Sequence, residues 1–163
     1  MINNNFYNFP VKTSVFIRWF SLIVFLSNFF LKLPFLSSDD IAIDEPITLF
    51  FAQKNLAEFF SSLKSDNSPP LYYLLMNFWT TLFGNGAFAV RFPSLLFSSL
   101  SAMVIFKTGY RFLNLRTGIL AALFYTGSTF HVFFSHDARV YSLFFLFSSL
   151  SFFFFLKLCT DQA

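Results

Sequence analysis

Charged side chains are scarce in this sequence: 11 Lys and Arg and 8 Asp and Glu make up only 12% of its 163 residues. Hydrophobic residues account for 56%, 30 residues are Phe, and the mean hydropathy is +0.62, which is above the range of soluble globular domains. The composition therefore predicts a membrane protein. The basic residues stand singly between apolar runs and form no patch, so we expect no nucleic-acid partner.

Several motifs that assign chemistry are also missing. Cys159 is the single cysteine, so the chain cannot form an internal disulfide, and no metal-ligand spacing surrounds this residue. The sequence has no glycine-rich phosphate loop, no nucleophile elbow and no zinc-binding pattern. Any active site must therefore be found from the placement of the few charged residues.

Four apolar runs are long enough to cross a bilayer as helices, which takes about 20 residues each. They cover residues 19–36, 88–106, 117–134 and 140–156. The first follows Lys12 and Arg18 and has no small-residue cleavage site after it, so it predicts an uncleaved signal anchor with residues 1–14 in the cytoplasm. We expect Lys32, near the other end of this run, to extend its ammonium group towards water.

A fifth apolar run, PPLYYLLMNFWTTLF at residues 69–83, is too short to cross. As a helix it would cover only about 22 Å of a hydrocarbon core of roughly 30 Å. Its prolines suit the first helical turn, and Gly84 suits the position after the last. We predict a helix on the outer membrane surface, with Tyr72, Tyr73 and Trp79 at the interface.

Charge placement supports this topology. With four spans, Lys107, Arg111 and Arg116 fall in a cytoplasmic loop, as the positive-inside rule prefers. Residues 37–87 then form an external loop, and residues 135–139 lie on the same outer face. The predicted fold class is an all-α membrane protein with about four transmembrane helices and two amphipathic surface helices.

The second surface helix is predicted over residues 46–64, where apolar residues recur at three- and four-residue spacing. Asp44 or Glu45 is expected to cap it, with Pro46 in the first turn, so that both carboxylates lie at the positive end of the helix dipole.

Five carboxylates gather on the outer face in this topology, and two interpretations are open for them. They belong to Asp39, Asp40, Asp44, Glu45 and Asp137. They form either a solvated loop with one helix cap, or a site in which one carboxylate acts as general base and another orients substrate or a cation.

The basic residues beside these carboxylates are equally ambiguous. Arg91 and Arg139 either extend to lipid headgroups at span ends, or hold a phosphate by bidentate hydrogen bonds. His131 is interpreted as a packed, hydrogen-bonded histidine. His136 with Asp137 is a weak metal motif because no further ligands stand at fixed spacing.

Four motifs occur in a familiar order: DE in the outer loop, DNSPPLYYLLMNFWTTLFG, AVRFPSLLFSSL and FSHDARVYSL. Together they resemble the N-terminal part of GT-C type integral membrane glycosyltransferases, in particular bacterial relatives of protein O-mannosyltransferases and of the lipid A aminoarabinose transferase. The resemblance covers residues 15–158, and residues 15–163 are interpreted as the transmembrane part of such a domain.

The resemblance implies a mechanism and a set of site residues. A polyprenyl-phosphate sugar is the implied donor, with transfer at the outer face of the inner (plasma) membrane to a lipid, glycan or protein acceptor. The implied general base is Asp44, in the pair with Glu45. The implied substrate-binding residues are Asp66, Arg91, Asp137, Arg139 and Tyr141. The resemblance leaves open whether a divalent cation is needed, and no other cofactor is expected.

Two departures from the family pattern are present. Ser68 stands where the family usually has His, and family members have about a dozen spans. We therefore expect a fragment of a longer enzyme that is inactive alone. The alternative is a non-catalytic membrane module that binds a lipid-linked sugar or a partner subunit; a transporter half is disfavoured because the charges gather at the surface and not at the midplane.

Overall fold

The structure, a computed structural model, describes residues 11–37, 45–63 and 69–161, and helices are the regular secondary structure of these ranges. Three segments, Val15–Phe35, Ala87–Phe112 and Tyr141–Asp161, are long and apolar enough to cross a membrane, and a bent helix pair brings the number to four if it counts as one span. The predicted all-α membrane fold is confirmed. The helices are α1 (Val11–Lys32, followed by a 3-10 turn at Leu33–Phe35), α2 (Glu45–Ala52), α3 (Leu56–Leu63), α4 (Pro70–Phe83), α5 (Ala87–Phe112), α6 (Leu115–Gly127), α7 (Thr129–Ser135) and α8 (Tyr141–Asp161).

Helix α5 is the centre of the bundle. It packs against α1, α6 and α8, and it also contacts α4 and α7. In the most apolar stretch of α5, 56% of the residues are buried, compared with 17% in the corresponding stretch of the first span and 11% in that of α8. The outer helices α2 and α4 pack on each other, with Phe51 and Tyr73 stacked at a ring distance of 4.6 Å.

The third predicted span, residues 117–134, is wrong as a continuous helix. Ser128 has an extended backbone (φ −69°, ψ 121°) and separates α6 from α7, which are bent by 62° relative to each other. The helix is interrupted at Ser128, because its extended backbone cannot continue the helical hydrogen bonding; Gly127 before it still belongs to α6.

The helix predicted over residues 46–64 is also wrong as a single helix, since α2 ends at Ala52 and α3 begins at Leu56. Asn55 starts α3 by accepting the Glu58 N–H at 2.9 Å, which is the usual role of Asn at a helix N-terminus. The Asn77 amide, from α4, donates to the carbonyl oxygens of Ala52 (2.7 Å) and Lys54 (2.8 Å). These bonds satisfy backbone groups that a continuous helix would have paired internally.

The bounds of α4 follow the sequence prediction. The helix begins at Pro70 and is followed by Gly84, whose φ of 83° is a conformation that favours glycine. Two of the three aromatic residues predicted at the interface are placed differently, whereas Trp79 is half-buried. Tyr72 and Tyr73 are 0% and 3% exposed, because α4 turns them towards the other helices. The exposed face of α4 carries the apolar residues Leu71, Phe78, Leu82 and Phe83.

Helices α5 and α6 approach each other closely at two glycines. A Cβ atom on Gly109 would lie 2.8 Å from Cα of Gly118, and a Cβ atom on Gly118 would lie 2.8 Å from the Phe106 carbonyl oxygen. Both contacts are with backbone, which cannot rotate away. Small residues allow such close packing of membrane helices.

Replacing Gly118 by Ala should therefore destabilise the α5–α6 pair by about 1–3 kcal/mol, the usual range for overpacking. The matched control is Gly127→Ala, because a Cβ there would have no atom within 4 Å apart from its own residue, its chain neighbours and the adjacent backbone of α6. Thermal unfolding in detergent should occur at lower temperature for the first variant and not for the second. Equal unfolding temperatures for both variants would contradict the close contact.

Candidate functional site

A buried ion pair joins the start of α2 to α5. Nε of Arg91 donates to Oε1 of Glu45 at 2.8 Å, and Nη2 donates to Oε2 at 2.9 Å. Two parallel bonds of this kind form the bidentate geometry that makes an Arg–carboxylate pair strong and directional. The two residues are 2% and 0% exposed, so each charge is compensated by the other and not by water.

The same pair holds two further segments through their backbones. Nη1 of Arg91 donates to the Leu36 carbonyl oxygen at 3.0 Å, and the Ala138 N–H donates to Oε1 of Glu45 at 3.0 Å. One ion pair therefore brings together the chain after α1, the first turn of α2, the second turn of α5 and the turn between α7 and α8. This end of the bundle is the candidate site.

The turn between α7 and α8 is buried at this end. Asp137 is 6% exposed and Ala138 is 0% exposed. The backbone carbonyl of Asp137 accepts the Arg139 N–H at 2.8 Å, and Nε2 of His136 forms a hydrogen bond with the Lys32 carbonyl oxygen at 3.0 Å. The polar break between two apolar runs is thus a packed turn fixed to α1 and α2.

Tyr72 adds a neutral hydroxyl to the cluster. Its hydroxyl is 3.1 Å from the Ser94 hydroxyl on α5, and the side chain is fully buried. Burial raises the pKa of Tyr72 above its usual range, and the negative charges of Asp137 and Glu45 act in the same direction. Tyr72 therefore stays protonated and serves as a hydrogen-bonding group.

Of the predicted site residues, Glu45, Arg91, Asp137 and Arg139 are brought to one end of the bundle. Tyr141 is the first residue of α8, is 37% exposed, and packs its ring on Phe134 at 4.4 Å. Asp39, Asp40, Asp44 and Asp66 lie outside the described residues.

The sequence interpretation did not identify the partner of Arg91. Both interpretations of Arg91 gave it a lipid or phosphate contact, whereas the structure pairs it with Glu45. Ser94 was also missed. The available signal was the spacing of Arg91, Ser94 and Ser98, three and four residues apart, which places polar groups along one face of α5.

No group of three or more His, Cys, Asp or Glu side chains that could hold a metal ion occurs within residues 11–37, 45–63 and 69–161. His131 is packed as predicted, with its ring 4.1 Å from that of Tyr125 and 4.7 Å from that of Phe145. The predicted hydrogen bond is not formed at its buried Nδ1, which has no partner among the described residues.

The helical fold, with three or four segments long and apolar enough to cross a membrane, is that of a multi-pass membrane protein. Residues 67–163, more than half of the chain, match the family model described as dolichyl-phosphate-mannose-protein mannosyltransferase, and the chain belongs to this family. The matched range runs from just before α4 to the end of α8 and includes Arg91, Asp137 and Arg139. No curated protein and no solved structure matches the chain.

Membership establishes a mannosyltransferase-like function in broad terms, with a lipid-linked sugar donor and an acceptor as the general substrate classes.

Proposed function

We propose that the protein transfers a hexose of the mannose type from a polyprenyl-phosphate donor to a lipid, glycan or protein acceptor at the outer face of the inner (plasma) membrane. Asp44 is the general base in this proposal. The observation that carries it is the contact of Glu45 with both Arg91 and the Ala138 N–H. This contact fixes Glu45, the residue that follows Asp44 in the sequence, against the turn that carries Asp137 and Arg139.

The proposed reaction is a single displacement with inversion. The acceptor oxygen forms a bond to the anomeric carbon while the bond from that carbon to the phosphate oxygen breaks, and the phosphate leaves with the electron pair. Asp44 takes the acceptor proton, which is the work of a general base. Arg139 stabilises charge on the leaving phosphate, while Asp137, Tyr141 and Asp66 orient the sugar or the acceptor.

Glu45 has a different role from Asp44 in this proposal. Its two carboxylate oxygens already accept two Arg91 N–H groups and one backbone N–H. Both oxygens are therefore engaged in contacts that hold neighbouring segments of the chain together. Glu45 and Arg91 are therefore positioning residues that hold the backbone next to Asp44 in place.

The proposal also fixes an orientation. The cytoplasmic side contains residues 1–14 and the α5–α6 turn, which is flanked by Arg111 and Arg116. The outer side contains residues 37–87 and the turn at 136–140. The basic residues of the α5–α6 turn favour this orientation.

A transfer assay tests the function. Membranes from cells that carry the intact natural coding region are incubated with labelled polyprenyl-phosphate mannose, and label is followed into lipid, glycan and protein fractions. We expect transfer that disappears when the gene is deleted; a parallel reaction with a chelator determines whether a divalent cation is needed. If transfer to every fraction is the same with and without the gene, the proposal is wrong.

The second candidate, a membrane module that binds lipid-linked sugar without transferring it, is favoured by one observation. The structure uses two charged residues of the predicted site, Glu45 and Arg91, for packing. Gene-dependent donor binding without gene-dependent transfer in the same membranes would support this candidate.

A further inference from the structure

Lys32 lies inside the bundle, not at its surface. We expected its ammonium group to reach water, but the residue is 3% exposed. Its Nζ donates to the Ser98 hydroxyl on α5 at 3.1 Å and lies 5.6 Å from the centre of the Tyr125 ring on α6. The expected snorkelling is therefore wrong, because Lys32 points towards α5 and α6.

No carboxylate balances this charge within the part of the chain that the structure describes, where the one ion pair is that of Arg91 with Glu45. A buried ammonium group without a counter-charge is strongly disfavoured. The neighbouring polar groups are neutral. Asn28 donates to the Thr126 hydroxyl at 3.0 Å and accepts from Ser99 at 3.2 Å, and these bonds do not compensate a positive charge.

Two features nevertheless favour the charged form of Lys32. Tyr125 lies in the last turn of α6, and a cation is stabilised at the carboxyl end of a helix by the helix dipole. The Ser98 hydroxyl accepts a hydrogen bond from Nζ, and hydrogen bonds with charged groups are stronger than those between neutral groups. The remaining ammonium hydrogens are available to an anion.

His131 supplies a second donor beside Lys32. Its ring packs on the Tyr125 ring at 4.1 Å, and the same ring lies 5.6 Å from Nζ of Lys32. The buried Nδ1 of His131 has no hydrogen-bond partner among the described residues. An ammonium group, a hydroxyl and an imidazole N–H all donate hydrogen bonds. Lys32 is bonded to Ser98, and Lys32 and His131 both lie against the Tyr125 ring, so the three donors are grouped in a way that suits an oxyanion.

The broken span passes through this cluster. Tyr125 precedes the break at Ser128 and His131 follows it, and the two helices differ in direction by 62°. In secondary transporters, interrupted membrane helices form the sites that bind ions and charged substrates. Lys32 also lies one helical turn before Leu36, whose carbonyl contacts Arg91. A ligand here would therefore sit about one turn, or roughly 5 Å, deeper than the ion pair.

We propose that Lys32, Ser98 and His131 form a site for a phosphate oxyanion, separate from the Glu45–Arg91 cluster. Lys32 supplies the charge, while Ser98 and His131 complete the set of donors. The assignment of that phosphate to a lipid-linked sugar donor rests on the proposed function, whereas the site itself does not.

Direct binding to the purified 163-residue chain tests the site. The protein is placed in phosphatidylcholine nanodiscs, and three probes are compared: a polyprenyl phosphate, phosphatidylglycerol and inorganic phosphate. We expect Lys32→Gln to weaken binding of at least one probe about ten- to hundredfold, since bonds to charged groups are worth that much. Lys32→Arg should retain most of the affinity, and the matched control Lys157→Gln should bind like the natural protein.

The probes identify the source of the phosphate. Lys32-dependent binding of polyprenyl phosphate alone supports a donor site, Lys32-dependent binding of phosphatidylglycerol supports a headgroup site, and Lys32-dependent binding of inorganic phosphate supports a site for the free ion. If Lys32→Gln fails to fold, Ser98→Ala and His131→Gln take its place, and each should weaken binding severalfold. Unchanged binding of every probe by the folded variants overturns the site.

This result is separable from the proposed function. If Asp44→Asn leaves transfer unchanged while Lys32-dependent binding is observed, the assigned base is wrong and the phosphate site is supported. If Asp44→Asn abolishes transfer while Lys32→Gln binds every probe normally, the phosphate site is overturned and the base is supported.

Discussion

Replacing Asp44 by Asn should lower sugar transfer by about 10²–10⁴-fold, the usual contribution of general acid–base catalysis, without lowering the amount of protein in the membrane. The physical reason is that an amide cannot take the acceptor proton, although it has nearly the same size as the carboxylate. Transfer of labelled sugar per amount of protein, measured in membranes of cells with the natural coding region, checks this result.

Glu58→Gln is the matched control for Asp44→Asn. It makes the equivalent change in the same outer part of the chain, and Glu58 is exposed on α3. Its transfer rate should equal that of the natural protein. If Asp44→Asn also transfers at the natural rate, Asp44 is not the base.

Replacing Arg91 by Met should destabilise the folded protein by about 3–5 kcal/mol, because it leaves the buried Glu45 carboxylate without the positive charge of Arg91. The Met side chain is long and apolar and fills most of the same space. The Leu36 carbonyl also loses a donor. Denaturant unfolding in detergent micelles measures the loss, and the amount of protein in the membrane should fall with it.

A double-mutant cycle separates the ion pair from its surroundings. In the double variant Glu45→Met and Arg91→Met the buried charge is gone, and most of the lost stability should return, since apolar replacements of buried ion pairs are often neutral. Arg116→Met, which removes an exposed arginine on α6, should change stability little. If Arg91→Met alone unfolds like the natural protein, the ion pair does not hold this end of the bundle.

The two predictions together distinguish the role of Asp44 from that of Glu45, the next residue in the sequence. Asp44 variants should lose transfer and keep their fold, whereas variants of Glu45 or Arg91 should lose fold and transfer in parallel. This separation follows from the geometry of Glu45, whose oxygens are occupied by Arg91 and Ala138.

Local features of the fold were predictable from the sequence because their causes are local. The limits of α4 follow from the prolines that begin it and from Gly84, which ends it. The break between α2 and α3 was missed for a different reason. The turn at residues 53–55 is stabilised by Asn77 from another helix, and periodicity within one segment carries no information about such a partner.

The candidate site was partly predictable. Charge placement put the turn at 136–140 beside the outer loop, and the structure does bring Glu45 to Ala138. The pairing of Glu45 with Arg91 could not be derived, because the two residues are 46 positions apart and each had a plausible role alone. The burial of Lys32 was missed because a lysine near the end of a span usually reaches water, whereas here Ser98 accepts its hydrogen bond.

The burial of the Glu45–Arg91 pair also determines how this end of the protein responds to ionic strength. Mobile ions weaken interactions between exposed charges over a distance of about 10 Å at 0.1 M salt, but they screen buried pairs much less. Arg91 and Glu45 are 2% and 0% exposed. The contact between α2, α5 and the Ala138 turn should therefore depend little on the salt concentration. A protein facing a compartment whose salt content the cell does not control would keep this end of its bundle assembled.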